Sequence, residues 1–307
     1  MKLLINPEEV APYLSGLNES FGHWGGQQAW DWTFGRACGE GLASRLVVTD
    51  DDGAWVAGSA VSWRTLTGAG RVGIMTGSWT LPAARGSGCF STFIRHSSAL
   101  VQQSSGRALL SFVTAANGSR RRLEASGADL VDALYVRSAI GTLGAPPARL
   151  LPEPVTPALT TELWHLHTRQ STAGRGFRYP DAHSFAGQFL LRPNPTALYR
   201  DADTGSLAIF EQAHDTDRLL FAGGGPVDPR ERPETWSGLA AWANAGGRNF
   251  FGFAIHPDHC AALRATSLEL IPGFLCLNGA SAKTDLDPGP GPSDLRANWV
   301  LQSGDRM

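Results

Sequence analysis

The chain has 307 residues, 42% of them hydrophobic, enough for two ordinary domains or one large one with a proper core. Its formal charge of -2, with no basic block, leaves the counterion-release term of nucleic-acid binding without a source. The same balance argues against an anionic membrane as partner, and the bias toward arginine, with Lys2 and Lys283 the only lysines, carries no functional reading.

The opening "MKLLINPEEV" is too short for the apolar core of a secretory signal, and no run reaches the roughly 18 apolar residues of a membrane span. Cys38, Cys89, Cys260 and Cys276 sit far apart, without a Cys-x-x-Cys pair or a secretion context, so no disulfide framework is expected. The cytoplasm is the expected location.

In chain order, Pro7 to Ser20 reads as an amphipathic helix with Val10, Leu14 and Leu17 on one face, and a second short helix is expected near Gln27 to Ala37. "SRLVVTD", "WVAGSAVSW" and "RVGIMTGSWTL" read as a meander of antiparallel strands, separated by Asp-Asp-Gly and Gly-Ala-Gly turns. A helix follows from Gly88 to about Gln103. "RALLSFVT" is then a strand, "NGSRRRLEASG" a helix ending at Gly127, and "ADLVDALYVRS" another strand.

The prolines of "GAPPARLLPEPVTPA" divide the chain almost in half. Beyond them His183 to Arg192 reads as helix, "SLAIFEQA" and "RLLFAGG" as paired strands, and Pro233 to Ala245 as helix. "NFFGFAI" is a strand, "DHCAALRATS" a helix and "ANWVLQS" a closing strand. The order predicts α/β architecture in two similar halves, each a mixed, mostly antiparallel twisted sheet flanked by helices.

The stretch "TLPAARGSGCF" places Arg85, Gly86, Ser87 and Gly88 between a strand and a helix. There, backbone N–H groups and a helix N-terminus cradle an anion, or the glycines simply make a turn. Neither a Gly-x-Gly-x-x-Gly with a following acidic residue nor a Gly-Lys-Ser/Thr is present, so dinucleotide and P-loop readings are unsupported. His165-x-His167 and His256-x-x-His259 lack the companions of a zinc site, and no Gly-x-Ser-x-Gly elbow marks a serine hydrolase.

Together these residues resemble the GNAT acyltransferase superfamily, whose cofactor motif after its fourth strand is Arg/Gln-x-x-Gly-x-Gly/Ala. "RGSGCF" supplies Arg85 and Gly88, with Phe90 in place of the last small residue as in "RGxGLF"-type branches. "TLP" upstream and "AANGSRRRLEASGA" downstream match the strand-proline and the Asn-x-x-Ser helix. The resemblance runs from about residue 5 to 140, and a second, degenerate copy without the motif is suspected over about 160 to 303.

The resemblance implies an acyl-CoA-binding domain over 1–145, a proline-rich linker over 146–158 and a degenerate domain over 159–307 that completes a substrate cleft. It implies transfer from acetyl-CoA, or another acyl-CoA, to a small amine in a ternary complex, by a monomer or homodimer. Ser78, Trp79 and Thr80 would line the pantetheine, and Arg85, Gly86, Ser87, Gly88, Cys89 and Phe90 the pyrophosphate, with Asn117 and Ser119 nearby.

The frequent carboxylate of the fourth strand is missing from "GIMTGSWT", and Leu123 stands where many members place a tyrosine. His23, in the "FGHWGG" loop, is the expected substitute base. Asp31 and Glu40 are weaker candidates. Trp24, Trp30, Asp31 and Glu211 are the expected acceptor contacts, with core packing the alternative for the tryptophans. A carrier-protein acyl donor and a non-catalytic acyl-CoA-binding protein are the alternative functions.

Overall fold

The computed structural model describes residues 1–36, 41–141, 144, 146–225, 227–279 and 299–306. Two compact units divide them: Met1–Leu130 with residues 275–279, and Val131–Phe274 with residues 299–306.

The first unit opens with β1 (Lys2–Ile5), α1 (Ala11–Phe21) and α2 (Gln27–Trp30), which loosens into a π-helical turn over Asp31–Gly35. Then come β2 (Ser44–Thr49), β3 (Trp55–Leu66), β4 (Gly70–Thr80), α3 (Cys89–Gln103), β5 (Ala108–Thr114) and α4 (Ser119–Ala125). Strands β2 to β4 form the expected antiparallel meander, β1 adds an unexpected antiparallel strand beside β2, and β4 pairs with β5 in parallel through Gly73–Leu109 and Ile74–Leu110.

Period-two alternation in β2 sends Val47 to one face and Leu46 and Val48 to the other. On the first face Tyr13 and Leu17 of α1, with Trp30 and Phe34, cover Val47, Ala60 and Trp79. On the second, Cys89 and Phe93 of α3 cover Leu46, Val48 and Ala57, while Val101 packs on Val61, Trp63 and Leu109. Each fully buried large side chain contributes about 1.5–3 kcal/mol, so the two helical layers fix β4 from both sides.

The second unit takes β6 (Asp129–Ser138) from Val131 onward. It then contains β7 (Leu150–Glu153), α5 (Pro157–Ala173), β8 (Phe177–Arg178), α6 (Ala182–Phe189), β9 (Thr196–Asp201), β10 (Leu207–Ala213) and β11 (Thr216–Gly223). A 3-10 turn, Pro229–Glu231, leads to α7 (Pro233–Ala245), β12 (Asn249–Ala254), α8 (Pro257–Arg264) and β13 (Glu269–Gly279), whose last residues belong to the first unit. The order is β6-β12-β11-β10-β9-β7, antiparallel except for the parallel β11–β12 pair. Phe210, Leu219, Trp236, Leu239 and Phe250 anchor its core. The expected mixed, mostly antiparallel α/β architecture is therefore present.

The expected closing strand "ANWVLQS" is corrected. Of its described residues, Trp299 makes one bridge to Arg175, and the chain then curls into a 3-10 turn over Ser303–Arg306. Asp305 accepts the Gln302 N–H at 2.7 Å, which draws the backbone into a turn instead of a ladder. The proline-rich segment likewise holds strand β7, where Pro152 is tolerated because β7 ends the order and needs no second partner. Among the described residues, no helix is long and apolar enough to cross a membrane.

Candidate functional site

A cleft of about 610 Å³ opens in the first unit where β4 ends and α3 and α4 begin. Its first wall is Ser78, Trp79 and Thr80. Opposite β3, where Gly58 pairs Trp79 and Ala60 pairs Thr76, β4 holds one residue more than its partner. This bulge centres on Gly77, with φ +54°, a value that favours glycine, and a Cβ there would stand 2.7 Å from Phe34 Cζ. Tyr13 Oη donates to the Gly77 carbonyl at 3.1 Å, and the Ser59 and Ser78 hydroxyls share a 2.7 Å hydrogen bond. The indole of Trp79 is buried, whereas its backbone reaches the cleft wall.

Arg85, Gly86 and Gly88 supply the second wall, continued by Cys89, Phe90 and Ser91 of the first turn of α3. Gly86 and Gly88 both have φ +88°, with nothing within 4 Å of a Cβ at either, so backbone conformation rather than space calls for glycine. Gly88 offers no side-chain cap, and no acidic residue sits in the first turn. The 15-residue helix therefore presents the positive end of its dipole to the cleft without an internal counter-charge. Ser87 is absent from the wall: its hydroxyl donates to the Ala84 carbonyl at 2.6 Å and staples the loop.

Asn117, Gly118, Ser119 and Arg122 close the third side. Asn117 Oδ1 accepts the Ser119 N–H at 2.9 Å, starting α4, and helical spacing of three then puts Arg122 on the face of Ser119. Ser20 and Phe21, at the end of α1, form the rim.

The structure thus brings together every expected cofactor residue but Ser87. The other expectations fare differently. His23 is exposed in the loop beyond Phe21 and is not among the residues lining the cleft. Asn18 clamps that loop, accepting from the N–H groups of Trp24 (2.9 Å) and Gly25 (3.2 Å) and donating to the Gly25 carbonyl (2.9 Å). Trp24 stacks on Phe34, ring centres 5.8 Å apart, and Trp30 gives way to core packing at 5% exposure, edge-on to Tyr13.

Asp31 is exposed and accepts from Gln27 Nε2 at 2.8 Å. Glu40 lies outside the described residues. Glu211 belongs to the second unit, buried and held by Asn194 Nδ2 (3.0 Å), Arg192 Nε (3.2 Å) and Arg218 (3.6 Å), so its charge is already answered by protein groups. Leu123 is fully buried, and burial holds the Tyr13 phenol far above its usual range, so Tyr13 acts as a neutral donor.

Of the residues lining the cleft, sequence reasoning missed Ser20, Phe21, Ala84, Ser91, Gly118 and Arg122. Arg122 was legible from the three-residue spacing after Ser119, while Ser20 and Phe21 required knowing where α1 ends against β4.

The fold that positions this cleft has been solved several times. The chain has the fold of the GCN5-related N-acetyltransferases. A tandem GNAT protein from the clavulanic acid biosynthesis pathway superposes with a TM-score of 0.58 at 14% identity, covering 90% of this chain and 98% of that one. A GCN5-related N-acetyltransferase from Anabaena variabilis gives 0.57 at 14% identity, covering 90% and 72%. The N-myristoyltransferase of Saccharomyces cerevisiae, solved with bound myristoyl-CoA, gives 0.58 at 11% identity, covering 90% and 82%. No family model matches the sequence, and no curated protein matches it either.

Proposed function

We propose that the first unit binds an acyl-CoA, with acetyl-CoA the simplest donor, and transfers its acyl group to a small amine. The observation that carries this reading is the uncapped head of α3 behind Gly86 and Gly88, flanked by Arg85 and Arg122, at the end of the bulged strand β4. Helix N–H groups and two guanidinium groups suit a pyrophosphate. The edge of Ser78 to Thr80 suits a pantetheine arm laid along it like a strand. Solved proteins of this fold include one with an acyl-CoA bound, which supports the same donor class here.

In this mechanism a β4 N–H polarises the thioester carbonyl, a contact worth roughly 3–4 kcal/mol for one oxyanion donor. The amine nitrogen attacks the carbonyl carbon, the C–S bond breaks, and the sulfur leaves as thiolate. The amine must shed a proton, and His23, carried in the loop next to the rim residue Phe21, takes it through water. The proton ends on the CoA sulfur, so donor and acceptor leave as free thiol and amide.

Among the described residues, no carboxylate, imidazole or phenol lines the cleft itself, which favours as a second reading an acyl-CoA-binding protein without turnover. Thiol release from acetyl-CoA across a panel of amines separates the two. The transferase reading expects release with at least one amine and a tenfold or greater loss in His23→Ala without a change in CoA affinity. Full activity in His23→Ala removes that residue from the base role, and no release with any amine leaves the binding reading standing.

A further inference from the structure

Tyr13, on α1, is fully buried, and its ring meets Trp30, Phe34 and Trp79 edge-on at centroid distances of 5.4, 5.5 and 5.6 Å. Packing alone would be served as well by a phenylalanine. A hydroxyl carried into so apolar a layer is unfavourable unless it is hydrogen-bonded, and this one donates to the Gly77 carbonyl at 3.1 Å. Burial also holds the phenol far above its usual range, so the group serves as a neutral donor and not as a base.

That carbonyl belongs to the bulge. Neither Gly77 nor Ser78 has a register partner on β3, and β5 pairs with β4 through Gly73 and Ile74, before the bulge begins. The regular ladder therefore does not set the orientation of the peptide between Gly77 and Ser78. Tyr13 does so from α1. The peptide is trans, so its C=O and N–H point in opposite directions, and a hydroxyl that anchors the Gly77 oxygen also aims the Ser78 N–H. Ser78 lines the cleft, and its own hydroxyl is already engaged by buried Ser59 of β3 at 2.7 Å.

We propose that Tyr13 is a positioning residue for acyl transfer: its hydrogen bond to Gly77 holds the Ser78 N–H as the donor that polarises the thioester carbonyl. The inference rests on the acyl-CoA reading of the cleft and narrows it to one backbone donor and the side chain that aims it. Phe34 bears on the same bulge, since a Cβ at Gly77 would stand 2.7 Å from its Cζ, and Trp24, beside His23, stacks on Phe34. Tyr13 thus acts on the bulge through its oxygen and Phe34 through shape. Without the hydroxyl the ring still fills its place, while the peptide loses its anchor.

The test compares the wild type with Tyr13→Phe, which keeps the ring and removes only the hydroxyl. Calorimetric titration of acetyl-CoA and of S-ethyl-CoA, in which a methylene replaces the thioester carbonyl, reads the carbonyl contact without any acceptor. The wild type is expected to favour acetyl-CoA about fivefold, and Tyr13→Phe to lose that preference by weakening acetyl-CoA while S-ethyl-CoA binds as before. With an amine that supports thiol release, kcat in Tyr13→Phe is expected to fall about tenfold or more, with KM for acetyl-CoA rising no more than its dissociation constant does. A preference absent from the wild type, or retained in Tyr13→Phe because both ligands weaken equally as a packing role would have it, overturns the inference and leaves the acyl-CoA reading intact. An unchanged kcat does the same. A wild type that binds neither ligand overturns both.

Discussion

The crossover β4–α3–β5 and the crossover β11–α7–β12 are two versions of one device, an antiparallel strand that passes through a helix to a parallel neighbour. They differ at the head of the helix. α3 is entered through two glycines at positive φ and has no cap and no acid. α7 is entered through the turn Pro229–Glu231, with Pro233 and Glu234 in its first turn. Just before that turn Asp228 accepts from the N–H of Arg230 at 3.0 Å and from its guanidinium at 2.7 and 3.1 Å, with His259 at 3.5 Å. The second unit supplies its own anion and cation where the first leaves room for a ligand's. If the first unit is the binding half, as proposed, the residues entering the helix mark it and the fold alone does not.

The largest effect expected from breaking this contrast is on stability. Arg230 is 2% exposed, and Arg230→Ala leaves Asp228 without its principal partner, at an expected cost of about 3–5 kcal/mol in chemical denaturation. The corresponding cation of the first unit, Arg85, carries no such load, and Arg85→Ala should leave stability within about 0.5 kcal/mol.

Acid titration reaches the same cluster. Burial, reinforced by the charge of Arg230 and opposed by Asp228, pushes the His259 imidazole down to about 4. Burial works against ionisation of Asp228, yet Arg230 and His259 hold its carboxyl well below the usual range. A histidine whose folded pKa is depressed binds fewer protons than in the unfolded chain between about pH 6.5 and 4. Stability should therefore fall as pH drops through that window, by about 3 kcal/mol, and His259→Gln should flatten the profile there. A profile unchanged by the substitution contradicts the assignment.

Two smaller effects belong to the open half. Gly77→Val places a β-branched side chain at positive φ against Phe34 and is expected to cost about 2 kcal/mol or more, read by thermal unfolding. Arg85→Ala is expected to weaken CoA binding about tenfold, an effect that diminishes with added salt because the guanidinium is solvent-accessible.

Much of this layout was legible in the sequence because strong local signals agreed. The β2–β4 meander declared itself through valine-rich runs between glycine turns, and α7 through Pro233 and its alanines. Elements without such signals were unread. β1 has four residues, too few for a period, and forms because β2 offers it an edge. Helix α5 buries Leu159, Leu163, His167 and Ser171, a stripe half polar, so no apolar period shows. His167 is buried because Asp305 and Ser171 engage its ring, a pairing 138 residues apart that no local pattern predicts. β13 contains Pro272 and Gly273, residues that read as a break.

At the site, the glycine loop was readable because φ and dipole requirements act locally. Trp30 and Glu211 were misplaced because packing and ion-pairing depend on partners distant in sequence.

The central claim is that the head of α3, not that of α7, holds a ligand's phosphates. Calorimetric titration of acetyl-CoA into the wild type, Arg85→Ala and Gly88→Val tests it most directly. The account predicts one site per chain in the wild type, weakened about tenfold by Arg85→Ala and more by Gly88→Val, which strains the loop at φ +88°. No binding at millimolar acetyl-CoA, or binding indifferent to both substitutions, would contradict it.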